Sequence, residues 1–223
     1  MFDLTLIQQL AVMILPIVFA VTVHEAAHGW VADKLGDKTA RALGRVTFNP
    51  IPHIDPVGTI LLPLGMYVLS SMAGGPGLLF GYAKPVPVNA ARLRHPRRDM
   101  ALVAAAGPGA NLLMAVLWAL IAGSARHVGG EFPMIGLFLF QAGAFGVLIN
   151  VFLLVLNLLP ILPLDGGRVL ASLLPVSLAQ KYAKLEPWGL AILLVLLFSG
   201  LLGPIILPLV SGLHTLLLGL TLG

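Results

Sequence analysis

Five stretches of this 223-residue chain contain no Lys, Arg, Asp or Glu: residues 4–24, 56–83, 100–125, 132–164 and 187–223. Each reaches the roughly 20 residues a helix needs to cross the hydrocarbon core of a bilayer. Charged residues make up only 10% of the chain and hydrophobic residues 58%. A water-facing surface needs about 25% charged residues, so a soluble enzyme, a disordered chain and a nucleic-acid-binding domain are excluded. The net charge of +4 is then an orientation signal for a membrane, not a mark of a nucleic-acid partner. The absence of cysteine removes disulfides and thiolate chemistry. Because Met1-Phe2-Asp3-Leu4 has no basic flank, the first apolar run reads as retained, not cleaved.

The expected fold is an all-α polytopic membrane protein, a helical bundle of about four to six membrane segments. It forms one domain over 1–223, with a core at about 4–170 and a C-terminal helical segment at 187–221. The first helix should run from near Leu4 through Trp30 toward Leu35, with Pro16 inside and Gly36 as its stop. Residues 43–49 alternate and read as a short strand, and residues 84–89, with Pro85 and Pro87, as an edge strand. Helices are expected over 100–124 and 134–159, joined by a turn at Gly129-Gly130. Run 187–223 is either one helix broken near Pro204 and Pro208 or a tight pair. Trp30, Trp118 and Trp188 suit membrane interfaces.

Nine of the thirteen basic residues lie in 30–99 and three in 165–187, against Arg126 alone in the 124–133 turn. The positive-inside rule therefore places 30–99 and 165–187 in the cytoplasm. Both flanks of run 56–83 are basic, which favours a re-entrant hairpin there over a full span. The cluster Arg92 to Arg98 suits anionic lipid headgroups.

Ionisable groups inside a membrane are functional candidates, because each costs at least about 2.5–3.5 kcal/mol at the bilayer centre. His24-Glu25-Ala26-Ala27-His28 lies toward the end of the first span. Residues four apart share a helix face, so both imidazoles can reach one zinc ion, and Glu25 beside them can serve as general base. A catalytic zinc needs about three protein ligands and one open position. Asp165 closes a 33-residue charge-free run and is the leading candidate for the third. Gly166 and Gly167 would allow a tight turn that aims its carboxylate inward. An interfacial ion pair with Arg168 is the simpler alternative. His53 is a further candidate, near the metal or behind it. Asn111 and Asn157 are polar residues at membrane depth, suited to holding substrate backbone, orienting metal ligands, or bonding between helices.

His24 to Gly29, together with Asn157-x-x-Pro160-x-x-Pro163-Leu164-Asp165-Gly166-Gly167, resembles the site-2 protease family of intramembrane zinc metalloproteases. The likeness is greatest to its compact bacterial branch, which lacks an inserted PDZ domain. Gly107-Pro108-Gly109-Ala110-Asn111 resembles a further motif of the family, as does Arg45 to Pro56 with Tyr82 to Asn89. The resemblance implies one zinc ion per chain on His24, His28 and Asp165, with Glu25 as catalytic base. It implies cleavage of transmembrane protein substrates within or near the bilayer, in regulated intramembrane proteolysis. The expected setting is a bacterial inner membrane, among its lipids, with the site toward the cytoplasm. A metal transporter would also need intramembrane His and Asp, but not a glutamate between the histidines. A catalytically dead scaffold would not need the complete His, Glu and Asp set.

Overall fold

The computed structural model describes residues 5–61, 65 and 83–222. Thr5 opens the first helix, α1 (Leu6–Lys34). Its hydroxyl accepts the Gln8 N–H and the Gln8 side chain accepts the Thr5 N–H, which satisfies two donors that a helix start leaves unpaired. The helix stops as expected. Gly36 adopts φ 116°, a left-handed conformation that a side chain would oppose. A short helix follows, α2 (Thr39–Ala42).

The next helix, α3 (Pro96–Glu131), is longer than the sequence suggests. At about 54 Å it exceeds the hydrocarbon core of about 30 Å, so both charged ends project. Gly129 and Gly130 do not end it. The turn comes at Phe132, and Pro133 starts α4 (Pro133–Asn157), a position where a missing N–H costs nothing. The two helices approach closely. A Cβ on Gly136 would lie 2.5 Å from the Gly129 Cα, one on Gly143 2.6 Å from the Ala122 nitrogen, and one on Gly146 2.3 Å from the Trp118 ring. Small residues of this kind let helix backbones approach where lipid supplies no hydrophobic drive. Trp118 therefore packs inside the bundle and not at an interface. Helix α1 lies against both α3 and α4.

Four shorter elements complete the chain: α5 (Asp165–Leu173), α6 (Val176–Ala183), α7 (Gly189–Phe198) and α8 (Gly203–Leu222). The last charge-free run is thus two helices, separated at Gly200, which takes φ 74°. Helix α7 is about 15 Å long and too short to cross. It starts against the Leu162 carbonyl, and α8 ends with the Thr221 carbonyl beside Gly123 of α3. Leu193, Ile206 and Val210 of this pair bury against Ala115, Ala119, Val147 and Val151 of α3 and α4. Among the described residues, four helices are long and apolar enough to span: Leu10–Lys34 within α1, α3, α4 and α8.

Among the described residues no β-ladder forms, so the expected strand pair is not realised. Residues 83–89 form neither helix nor ladder, and Pro85 and Pro87 lack the N–H groups a ladder needs. Gly44, at φ 65°, bends the other segment. Side chains join the two instead. The Arg45 guanidinium donates to the Lys84 and Pro85 carbonyls, at 2.7 and 3.4 Å, and the Lys84 N–H donates to the His53 carbonyl. The expected hairpin at 56–83 falls mostly outside the described residues, of which Pro56–Leu61 forms a π-helical turn.

Candidate metal centre and active site

His24 and His28 stand one turn apart on α1, and Asp165 begins α5. Their ligand atoms converge. The two Nε2 atoms are 3.1 Å apart, and the Asp165 Oδ2 lies 3.2 Å from His24 Nε2 and 3.4 Å from His28 Nε2. Three ligands at about 2.0–2.2 Å from a tetrahedral zinc ion stand about 3.3–3.6 Å from one another. The triangle is within a few tenths of an ångström of that size.

The hydrogen bonds behind the rings decide what faces the centre. His28 Nδ1 lies 2.7 Å from the Val103 carbonyl, which can only accept. His24 Nδ1 lies 2.6 Å from Asn111 Oδ1. The Asn111 amide is oriented by its other contacts, because its Nδ2 donates to the Ala20 carbonyl and to Asn150 Oδ1. Asn150 in turn donates to the Gly146 carbonyl. Both Nδ1 atoms therefore carry the proton, and both Nε2 lone pairs point at a carboxylate. Three acceptors facing one another repel unless a cation lies between them. The buried Asp165 Oδ2 also lacks any hydrogen-bond donor. The donor set fits zinc.

Backbone makes the room. A Cβ on Gly107 would lie 2.4 Å from His28 Nε2 and 2.6 Å from His24 Nε2, so only glycine leaves space for both rings against α3. Gly166 and Gly167 act by closeness and not by an unusual turn. Neither has a positive φ, but a Cβ would lie 2.2 Å from the Leu158 carbonyl oxygen and 2.6 Å from the Ile161 carbonyl carbon. The first turn of α5 thus sits directly on the 158–162 loop, which brings Asp165 to the histidines. Arg168, the alternative partner for Asp165, faces Glu186 instead.

Glu25 lines the same cavity of about 140 Å³ as His24, His28 and Asp165. Its Oε2 accepts the Val86 N–H at 2.8 Å, so the 83–89 segment passes beside Glu25. Asn157 also lines this cavity, with its Nδ2 donating to the Leu153 carbonyl of its own helix. Asn111 lies behind His24, fully buried, and does not line the cavity. His53 is not brought to the cluster: it is buried with Nε2 3.1 Å from the Thr47 carbonyl. Asn150 and Asp37 escaped the sequence reading. Asn150 had a signal, since it stands two helical turns before Asn157 in an otherwise apolar run. Buried Asp37 accepts from the Thr39 N–H and, at 2.6 Å, from the Asn89 N–H, and so anchors the far end of the 83–89 segment.

A chain of spanning helices with a His, His and Asp cluster and an adjacent glutamate defines a membrane metallopeptidase, and sequence comparison agrees. Residues 12–131 and 132–200 match peptidase family M50. The chain belongs to that family, the site-2 protease family, and is an integral membrane, zinc-dependent metalloprotease of that type. It is 35% identical over 202 residues to "Putative zinc metalloprotease YwhC" of Bacillus subtilis, covering 89% of this chain and 85% of that protein. It is 34% identical over 179 residues to "Putative zinc metalloprotease Rip2" of Mycolicibacterium smegmatis, and 32% over 176 residues to the protein of the same name in Mycobacterium tuberculosis H37Rv. These two matches cover 79% of this chain and 62% of each relative. No solved structure matches.

Proposed function

We propose that this protein is an intramembrane endopeptidase with one zinc ion per chain, held by His24, His28 and Asp165, and with Glu25 as its catalytic base. The substrates are transmembrane proteins, cut within or near the bilayer. The observation that carries this reading is the convergence of two Nε2 lone pairs and one carboxylate oxygen within 3.4 Å, beside Glu25 in the same cavity. When bound, zinc would supply Lewis acidity, lowering the pKa of a water to about 7 and polarising the scissile carbonyl.

The protein's own groups do the rest. Glu25 takes the proton of the attacking water and returns it to the leaving amine. The Val86 N–H holds one Glu25 oxygen and leaves the other for the proton. Asn111 and the Val103 carbonyl keep the imidazoles facing the centre. A substrate peptide bond must leave its helix before its carbonyl is reachable, and residues 83–89, which form no helix and reach Glu25 through Val86, suit an unwound segment. The basic segments at 30–99 and 165–187 flank this site, which supports an opening toward the cytoplasm of a bacterial inner membrane.

Metal analysis joined to cleavage of a model transmembrane substrate tests the assignment. Glu25→Gln should keep zinc and lose about 10²–10⁴-fold in turnover. Asp165→Asn and His28→Ala should lose zinc and turnover together. Wild-type cleavage by Glu25→Gln would refute the mechanism. Orientation is tested by single cysteines at Lys38, Arg97, Lys181 and Gly129: an impermeant thiol reagent applied outside should reach position 129 alone.

A further inference from the structure

A second cavity adjoins the candidate active site. It measures about 470 Å³, and Met100 and Arg168 line both spaces. That volume lies in the range of about 300–1,000 Å³ typical of ligand pockets. It opens between the first turns of α3, one face of α5 and one face of α6. The space exists because residues facing it are small, among them Ala171, Ala179 and Ala183.

The charged groups around it are already engaged. Arg97 donates to the Ser172 and Leu174 carbonyls at the end of α5. Arg168 faces Glu186 across 3.7 Å. Both lining cations thus face oxygen partners within the chain, and the rest of the lining is mostly apolar, so the chemistry the cavity chiefly offers is burial of apolar surface. Continuity with the catalytic cavity identifies what is buried. A peptide whose scissile bond sits at the metal cluster must be extended there. Its side chains on one face then follow one another about every 6.6 Å. The next space along that wall is the second cavity, which shares Met100 and Arg168 with the first.

We propose that this second cavity is a specificity pocket for a large apolar side chain of the substrate, such as Leu, Phe or Met, a few residues from the scissile bond. The proposal rests on the peptidase reading above.

The cysteine-free chain makes it testable. In a Glu25→Gln background that traps substrate, Ala179→Cys is paired with transmembrane substrates carrying one cysteine at successive positions. Disulfide formation should peak at one short stretch of substrate and be suppressed by excess cysteine-free substrate. In the active enzyme, Ala179→Trp should lower kcat/KM about tenfold or more for a substrate with Leu or Phe at the position found. It should change cleavage of the matching Ala substrate less than twofold, with zinc content retained. The inference is overturned if Ala179→Cys captures no substrate position while Asn157→Cys in the catalytic cavity does. Equal loss on Leu and Ala substrates with zinc retained overturns it too, as does capture that appears only after a copurified lipid is stripped. Should Ala179→Trp lose zinc through misfolding, the smaller Ala179→Cys change decides. Absence of zinc-dependent cleavage by the wild type would instead defeat the peptidase reading, and the capture profile would still score the pocket.

Discussion

At the turn between α3 and α4, Gly136 lies so near Gly129 that a Cβ would stand 2.5 Å from its Cα. Farther along the same two helices, contact is made by side chains: Asn150 accepts from Asn111 at 3.0 Å, and Asn111 accepts from His24. One end is held by bare backbone approach, the other by a polar relay that ends at a candidate metal ligand. In lipid, apolar residues gain nothing by leaving water, so helices associate through close contact and hydrogen bonding. The difference teaches a division of labour. Close contact sets the distance between α3 and α4. The relay then works because hydrogen bonds tolerate errors of only a few tenths of an ångström.

Damage to the two ends should therefore differ in kind. The largest expected effect is at Gly107. Gly107→Ala puts a Cβ 2.4 Å from His28 Nε2, so zinc and cleavage should vanish together, while the thermal unfolding midpoint of the metal-free protein stays near wild type. Full zinc occupancy in that variant, read by metal analysis, would show that the rings are not the ligands. Next comes the tight end. Gly143→Leu drives side-chain atoms into the Ala122 backbone and should destabilise the protein by about 1–3 kcal/mol or more. Zinc affinity per folded molecule should hold, so loss of zinc without a lower unfolding midpoint would erase the distinction between the two ends.

The relay sharpens the comparison. Asn111→Ala should weaken zinc binding about 10–100-fold in chelator competition, and Asn150→Leu less, because it acts on His24 only through Asn111. Equal effects from the two would remove the ordering His24, Asn111, Asn150. The smallest effect is expected at Asp37. Burial raises its pKa, but bonds from Thr39 and Asn89 and the charge of Arg92 outweigh this and hold the carboxyl below its usual range. A depressed folded-state pKa gives stability that is present above the unfolded value of about 3.9 and lost as pH falls through the lower folded value. Asp37→Asn should thus cost about 1–2 kcal/mol near pH 7, and the gap should close below about pH 4. A gap independent of pH would mean that the charge of Asp37 contributes nothing.

Much of the site was legible from residue order. His24 and His28 are neighbours by helix geometry alone, and Glu25 is next to them in the chain. The end of α1 at Gly36 followed from local conformation, and the spanning helices from runs without charge. Asp165 was conspicuous as a charge closing an apolar run. That it meets His28 across 136 intervening positions, and not Arg168 three residues away, depends on Gly166 and Gly167 seating α5 against the 158–162 loop. The strand expectation failed because alternation describes which way side chains point, not whether a partner strand lies within bonding distance. Arg45 filled that gap from a side chain.

The chain by itself determined that the protein is a membrane helical bundle and carries zinc chemistry, because hydropathy, helical period and prolines act over a few residues. The packed structure alone decided which nitrogen of each histidine faces the centre, why position 107 must lack a side chain, and which amides stand behind the candidate ligand His24. Those choices depend on contacts between segments far apart in sequence, where tenths of an ångström separate a hydrogen bond from a clash, and no local pattern encodes such distances.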